Sequence, residues 1–214
     1  MTGILFDLDG TLLDTLADLT DATNYALQQF GYPARTMAQV RRAIGNGAAN
    51  QICRSLPAGT SEETVQQVLA VYKPYYTAHC QQKTKPYAGI LEALECLKEK
   101  YPIAIVANKP DSAEKALCAD YFPGIYALGE TADCPRKPEA DMVFKGMQAI
   151  GVEHCIYVGD SEVDVLTAKN AGVPCLSVLW SFRNREDMEA VGGCHFCERT
   201  EELVEKIEEL THGQ

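Results

Sequence analysis

Four aspartates and two lysines stand at the points of this 214-residue chain where reactive groups are expected. Asp7-Leu8-Asp9-Gly10-Thr11 follows directly on the apolar run Ile4-Leu5-Phe6, and Asn108-Lys109-Pro110 follows Ile103-Ala104-Ile105-Val106. Gly159-Asp160-Ser161-Glu162-Val163-Asp164 follows Cys155-Ile156-Tyr157-Val158, and Lys137 lies in the loop Arg136-Lys137-Pro138. Carboxylates about 4 Å apart repel by several kcal/mol at a surface-like dielectric, so gathering them calls for a cation. Hard oxygen donors with few His or Cys nearby select Mg²⁺, which keeps waters and takes a phosphate oxygen as a further ligand. A carboxylate held on such an ion beside a lysine stays ionised and can attack phosphorus, while a second carboxyl shuttles the proton. The expected chemistry is phosphoryl transfer.

For these groups to meet, the apolar runs must be neighbouring strands. Each run is continuous instead of alternating, as in strands buried on both faces of a parallel sheet, and Ile125 and Pro174 open two more. Helical periodicity fills residues 89–99 and 161–171, and Thr200-Glu201-Glu202-Leu203 opens a last amphipathic helix. The expected class is therefore α/β, a doubly wound parallel sheet (Rossmann-like), in which ligands collect outside the carboxyl ends of the strands. From about Thr15 to Gln82 no strand run appears, only helical periodicity, and that is far longer than a crossover needs. We expect residues 1–14 and 86–214 to form the core and residues 15–85 an inserted helical cap domain. Its re-entry, Lys83-Thr84-Lys85-Pro86-Tyr87-Ala88-Gly89, has the Pro and Gly of a hinge.

Charge bounds the ligand. With 19 Lys+Arg against 30 Asp+Glu the net charge is −11, which repels a polyanion. No nucleic-acid or membrane partner is expected, and the partner that remains is a small phosphorylated metabolite. No signal-like n-region or membrane-length apolar run is visible, and nine cysteines form an odd, scattered set, as suits a reduced, cytoplasmic protein. Cys194-His195-Phe196-Cys197 lacks the second pair a zinc site would want and reads as a loop and short strand. No heptad demands a partner, which leaves a monomer or homodimer.

Asp7-Leu8-Asp9-Gly10-Thr11-Leu12, then Lys137-Pro138, then Gly159-Asp160-Ser161-xx-Asp164, in that order, resembles the haloacid dehalogenase superfamily of aspartate-nucleophile phosphatases. The resemblance spans nearly the whole chain. It implies that Asp7 is the nucleophile and that Asp9 is the general acid and then base, also meeting Mg²⁺ through its backbone carbonyl. Asp160 is implied as the other metal ligand, Asp164 as a ligand or a holder of ligands, and Lys137 as the clamp between nucleophile and phosphoryl group. Thr11 is placed to steady the nucleophile loop. The insertion corresponds to the family's cap, which excludes water and reads the leaving group.

Arg41-Arg42-Ala43-Ile44-Gly45-Asn46-Gly47-Ala48 and Asn108-Lys109-Pro110 resemble the phosphoglycolate phosphatase branch. There Asn46 and Arg42, or its neighbour Arg41, are expected near a small anionic leaving group. One departure stands out: the family usually carries Ser or Thr where this chain has Ala107. The Asn108 amide, with Lys109 beside it, is expected to take over contact with the phosphoryl oxygens; losing one such donor costs roughly 3–4 kcal/mol, not the whole acceleration. The other readings are a sugar phosphomutase, a pyrophosphatase and a non-catalytic binding module. Asp160 and Ser161-xx-Asp164 also fit a plain helix cap.

Overall fold

The computed structural model describes residues 1–212. Strand β1 (Thr2–Phe6) leads through β2 (Leu13–Asp14) into four helices, α1 (Leu16–Gln29), α2 (Met37–Ala43), α3 (Gly47–Ser55) and α4 (Glu62–His79). The chain returns at β3 (Lys85–Pro86) and continues through α5 (Ile90–Lys98), β4 (Ile103–Pro110), α6 (Asp111–Tyr121), β5 (Tyr126–Glu130) and α7 (Asp141–Ile150). It then forms β6 (His154–Gly159), α8 (Glu162–Ala171), β7 (Cys175–Val178), α9 (Arg185–Glu189), β8 (His195–Cys197) and, after a short 3₁₀ turn, α10 (Leu203–His212).

Six strands form one parallel sheet in the order β5-β4-β1-β6-β7-β8. Alternate residues face opposite layers, as the pleat requires. Ile4, Phe6, Ile103, Ile105, Ile156 and Val158 face one apolar cluster, which extends into the inserted helices through Leu19, Ile52, Val68 and Tyr76. Leu5, Ala104, Val106, Cys155 and Tyr157 face a second, packed on Met142, Val143 and Ala168. The doubly wound α/β expectation holds. Order reverses at β1, between β4 and β6, so the crevice outside its carboxyl end is where a ligand is expected to lie.

Helices fill the chain between β2 and β3, and those two short strands pair antiparallel, Leu13 with Pro86 and Asp14 with Lys85. Buried Asp18 of α1 accepts from the backbone N–H groups of Lys83 and Thr84, pinning the return strand to the outgoing helix. Cys197 is buried in β8 while Cys194 is exposed. No helix among the described residues is long and apolar enough to cross a membrane.

Candidate active site

Strand β1 ends one residue before Asp7, whose N–H is held by the Val158 carbonyl of the neighbouring strand. The chain then turns sharply at Gly10, with φ +88°. A Cβ there would lie 2.4 Å from Asp160 Oδ2 and 2.2 Å from Ser181 Oγ, so glycine lets the first loop close on the third. Gly159 does the same at the end of β6, where a Cβ would meet the Asp164 Cγ at 2.3 Å.

Asp7, Asp160 and Asp164 are all buried, and one oxygen from each lies within 4.8 Å of the others. Lys137 Nζ reaches into this group, donating to Asp7 Oδ1 at 2.6 Å, Asp164 Oδ1 at 2.8 Å and the Tyr157 hydroxyl at 2.9 Å. Thr11 Oγ1 donates to the other Asp7 oxygen at 3.4 Å. One ammonium does not offset three crowded carboxylates. Burial, reinforced by the Asp164 charge, raises Asp7 to about 7 although Lys137 opposes it. Burial, with Asp164 and Asp7 beside it, pushes Asp160 well above the carboxylate range. Lys137 goes the other way: burial would lower it, but Asp164 and Asp7 lift it well above its ordinary value, so it stays charged.

The donor set is all hard oxygen, buried and short of positive charge, which fits Mg²⁺. The three carboxylates are not equivalent, however. Asp164 Oδ2 accepts from the N–H of Asp160 at 3.2 Å and from the Ser161 N–H and hydroxyl at 3.1 and 2.6 Å, while its Oδ1 takes Lys137. Both oxygens are thus committed to capping α8 and seating the lysine. The capping-box pattern of Ser161 and Asp164 is present in full. Asp160 has fewer claims on it: its Oδ2 accepts from the Phe182 N–H at 3.2 Å.

Asp9 stands apart from that cluster, on the side facing the inserted helices. Its carboxylate lies 2.8 Å from Lys109 Nζ, and Lys109 is only 2% exposed. Lys109 also donates to the Tyr76 hydroxyl of α4 and sits 4.5 Å above that ring. Tyr72, one turn earlier, stacks on Tyr76 with ring centres 5.6 Å apart.

Asn108 lines the pocket, and its amide is engaged there by the backbone of Lys137. Nδ2 donates to the Lys137 carbonyl and Oδ1 accepts from the Lys137 N–H, both at 2.8 Å. The amide that was expected to replace a missing hydroxyl therefore fixes the backbone of Lys137, and Ala107 joins the apolar cluster beneath. Arg42 is exposed and lines a different hollow, with Arg35 and Arg54. Asn46 begins α3 without a side-chain cap bond, and its carbonyl accepts from Asn50. The pocket wall takes Ile44, Gly45, Gly47 and Ala48 from this segment instead. Arg41, not Arg42, crosses to the core, where it donates to the Ser181 and Phe182 carbonyls. Arg183 crosses the other way, donating to the Arg41 and Ile44 carbonyls while paired with Glu162 at 2.8 Å.

Tyr76, Tyr157 and Arg183 are not apparent from spacing alone. A clue existed for Tyr157: a hydroxyl inside a buried strand must find a partner, and here it finds Lys137 and Asp164. Glu114 of α6 gave none. It is wholly buried, one oxygen takes only a weak bond from Cys118 Sγ at 3.9 Å, and the other has no partner. Burial lifts its carboxyl well above the ordinary range against the pull of Lys109. The folded state therefore keeps a proton that the unfolded chain releases, so this group costs stability as pH rises above the carboxylate range. Glu114→Gln should flatten that dependence and raise Tm relative to wild type at about pH 8, but not at about pH 5, in thermal melts with EDTA.

A family model described as haloacid dehalogenase-like hydrolase matches residues 4–178. A phosphoglycolate phosphatase of Mesorhizobium japonicum is 32% identical over 218 residues, covering 95% of each chain. Phosphoglycolate phosphatase 1 of Pseudomonas aeruginosa is 33% identical over 192 residues, 85% of this chain and 70% of that one. A solved structure from Lactobacillus delbrueckii subsp. bulgaricus, provisionally named a phosphoglycolate phosphatase, superposes with TM-score 0.90 at 37% identity, covering 96% of this chain and 98% of its own. The signatures at the strand ends, the sheet that gathers them and these matches agree: the chain belongs to the haloacid dehalogenase-like hydrolases.

Proposed function

We propose that this hydrolase is a Mg²⁺-dependent phosphatase that cleaves a small phosphomonoester, 2-phosphoglycolate fitting best, through an aspartyl-phosphate on Asp7. The carrying observation is the pairing of two carboxylates in one pocket with different partners, Asp7 on Lys137 and Asp9 on Lys109. Asp7 Oδ attacks phosphorus; the bond from phosphorus to the leaving alkoxide breaks, and Asp9, which enters the cycle in its acid form and not as the carboxylate paired with Lys109, protonates that alkoxide. Asp9, now a carboxylate, takes a proton from water; the water oxygen attacks phosphorus, the bond to Asp7 breaks, and phosphate leaves. Asp7, Asp160 and the Asp9 carbonyl would hold the metal, with Asp164 positioning Lys137 and the α8 end. When bound, Mg²⁺ supplies the charge that keeps the carboxylates ionised and draws off negative charge from the phosphoryl oxygens. Lys137 shares that role, and Asn108 holds it in place.

Residues 15–85 act as the cap over a core of residues 1–14 and 86–214. Cap residues Ile44, Gly45, Gly47, Ala48, Tyr72 and Tyr76 line the pocket, which holds about 50 Å³ of free space, against roughly 10–15 Å³ for one water. That room suits a leaving group of a few atoms better than a nucleotide. The uncapped N-terminus of α3 at the wall favours a carboxylate on that leaving group, as in 2-phosphoglycolate. Nine free cysteines suit a reducing cytoplasm.

A substrate panel tests the reading. Comparing kcat/KM for 2-phosphoglycolate, hexose phosphates, nucleoside monophosphates and pyrophosphate should rank 2-phosphoglycolate first, with phosphate released stoichiometrically. A phosphosugar isomer accumulating without phosphate release would make it a mutase, and a leading pyrophosphate a pyrophosphatase. Asn108→Ala should lower kcat about tenfold with little change in KM, because it loosens the clamp without touching the leaving group.

A further inference from the structure

The cap carries a second hollow that the catalytic reading does not use. Arg35, Arg42, Arg54, Gln39, Ala43 and Ser55 line about 300 Å³ between α2, α3 and the loop before α2, and none of them lines the catalytic pocket. Three arginines thus line one hollow, Arg42 and Arg54 exposed and Arg35 half-buried, with no carboxylate among the lining residues. In a chain of charge −11 this is unusual: most cations among the described residues, such as Lys83, Lys100, Lys115, Lys137, Arg183 and Arg199, pair with Asp or Glu. Arg35, Arg42 and Arg54 have no such pair among the described residues. Like charges held together repel unless an anion joins them. Arg35 is also preset: its Nε donates to the Ser55 carbonyl at 2.7 Å and its backbone N–H to Asn24 Oδ1 at 2.7 Å, which leaves its terminal nitrogens for a ligand. A planar fork fixed beforehand loses little freedom on binding an oxyanion.

We propose that this hollow is an anion site on the cap, separate from the catalytic pocket, that takes a small oxyanion bearing several negative charges. A phosphate compound and a tricarboxylate share that chemistry. Both place oxygens where guanidinium groups donate in pairs, and both are small enough for the hollow. Nothing in the wall requires a metal, so this site binds with no metal present, whereas phosphate binding at the carboxylate cluster needs Mg²⁺.

Titration calorimetry of the full chain, stripped of metal and dialysed into chelator-free, resin-treated buffer, with pyrophosphate in one series and citrate in another, tests this. Wild type should bind one equivalent of at least one of the two. Arg54→Gln and Arg42→Gln should each weaken that binding about tenfold or more, the scale of one charged hydrogen bond. Arg54→Gln should keep wild-type turnover of p-nitrophenyl phosphate with Mg²⁺, which also shows that it folds. Lys169→Gln, which removes an exposed charge elsewhere, should leave binding unchanged. No binding by either anion, or equal binding by Arg54→Gln, would overturn the proposal, and so would equal weakening by Lys169→Gln. Sedimentation supplies a last check: a wild-type dimer that Arg54→Gln dissolves would place a neighbouring chain's carboxylates in the hollow instead. These outcomes are independent of which phosphomonoester the catalytic pocket cleaves.

Discussion

Asp7→Asn is expected to reduce phosphatase turnover by about four orders of magnitude or more, the scale of losing a covalent nucleophile, while leaving the fold intact. The amide keeps the shape of the carboxylate: its oxygen still accepts from Lys137, which donates at 2.6 Å in the wild type, and its NH2 takes the place of the oxygen that Thr11 meets at 3.4 Å, where it can donate to the Thr11 hydroxyl. It also removes one negative charge from a buried group that is overloaded with them: burial and Asp164 already hold Asp7 up at about 7. Metal-free Asp7→Asn should therefore melt no lower than metal-free wild type. The Tm gain on adding Mg²⁺ should shrink, because one ligand is weakened and binding stabilises only the folded state. Steady-state assays with Mg²⁺, paired with melts in EDTA and in Mg²⁺, read both effects. Retained turnover would remove Asp7 from the chemistry.

Lys137→Met should damage both activity and stability. The lysine is 3% exposed and serves Asp7, Asp164 and Tyr157 at once. Removing one partner of a buried ionic cluster strands the other charges and costs about 3–5 kcal/mol. Turnover should fall by about 10²–10³-fold, as when one preorganised donor is taken from a developing oxyanion. Mg²⁺ should rescue the Tm of this variant more than that of wild type, since a cation is what the stranded carboxylates lack. Its kcat should remain low at saturating Mg²⁺, because the metal cannot occupy the place of the Lys137 ammonium. Unfolding by denaturant with and without Mg²⁺ separates the two contributions.

The placing of candidate residues together was legible where they sit at the ends of continuous apolar runs. Asp7 directly after Ile4-Leu5-Phe6 has little structural reason to be there, and a parallel sheet converts that sequence position into a place in space. The same holds for Asp160 after β6. That the chain between β2 and β3 is helical was legible from the lack of strand runs there. What faces the site from that stretch was not. Tyr72 and Tyr76 share one side of α4 as ordinary amphipathic core positions, and only packing brings the Tyr76 hydroxyl to Lys109. Choosing between Arg41 and Arg42 depended on a helix rotation of about 100° per residue, which neighbouring positions in sequence do not reveal. Asn108 is similar: its amide has one backbone partner 29 residues away, in a loop whose position follows from the whole of β5 and its neighbours. Glu114 reads as a surface residue in the first turn of a helix and is instead fully buried.

In the proposed reaction Asp7 carries the phosphoryl group between two half-reactions, and Asp9 is needed for its release. Asp9→Asn with p-nitrophenyl phosphate and Mg²⁺ isolates the intermediate, because this leaving group needs no acid while hydrolysis still needs the base. Acid quenching within one turnover, followed by peptide mass spectrometry, should find one phosphoryl group on the Asp7 peptide, at higher occupancy than in wild type and absent from Asp7→Asn. Phosphate release at the wild-type rate with no phosphoryl group on Asp7 would contradict the account.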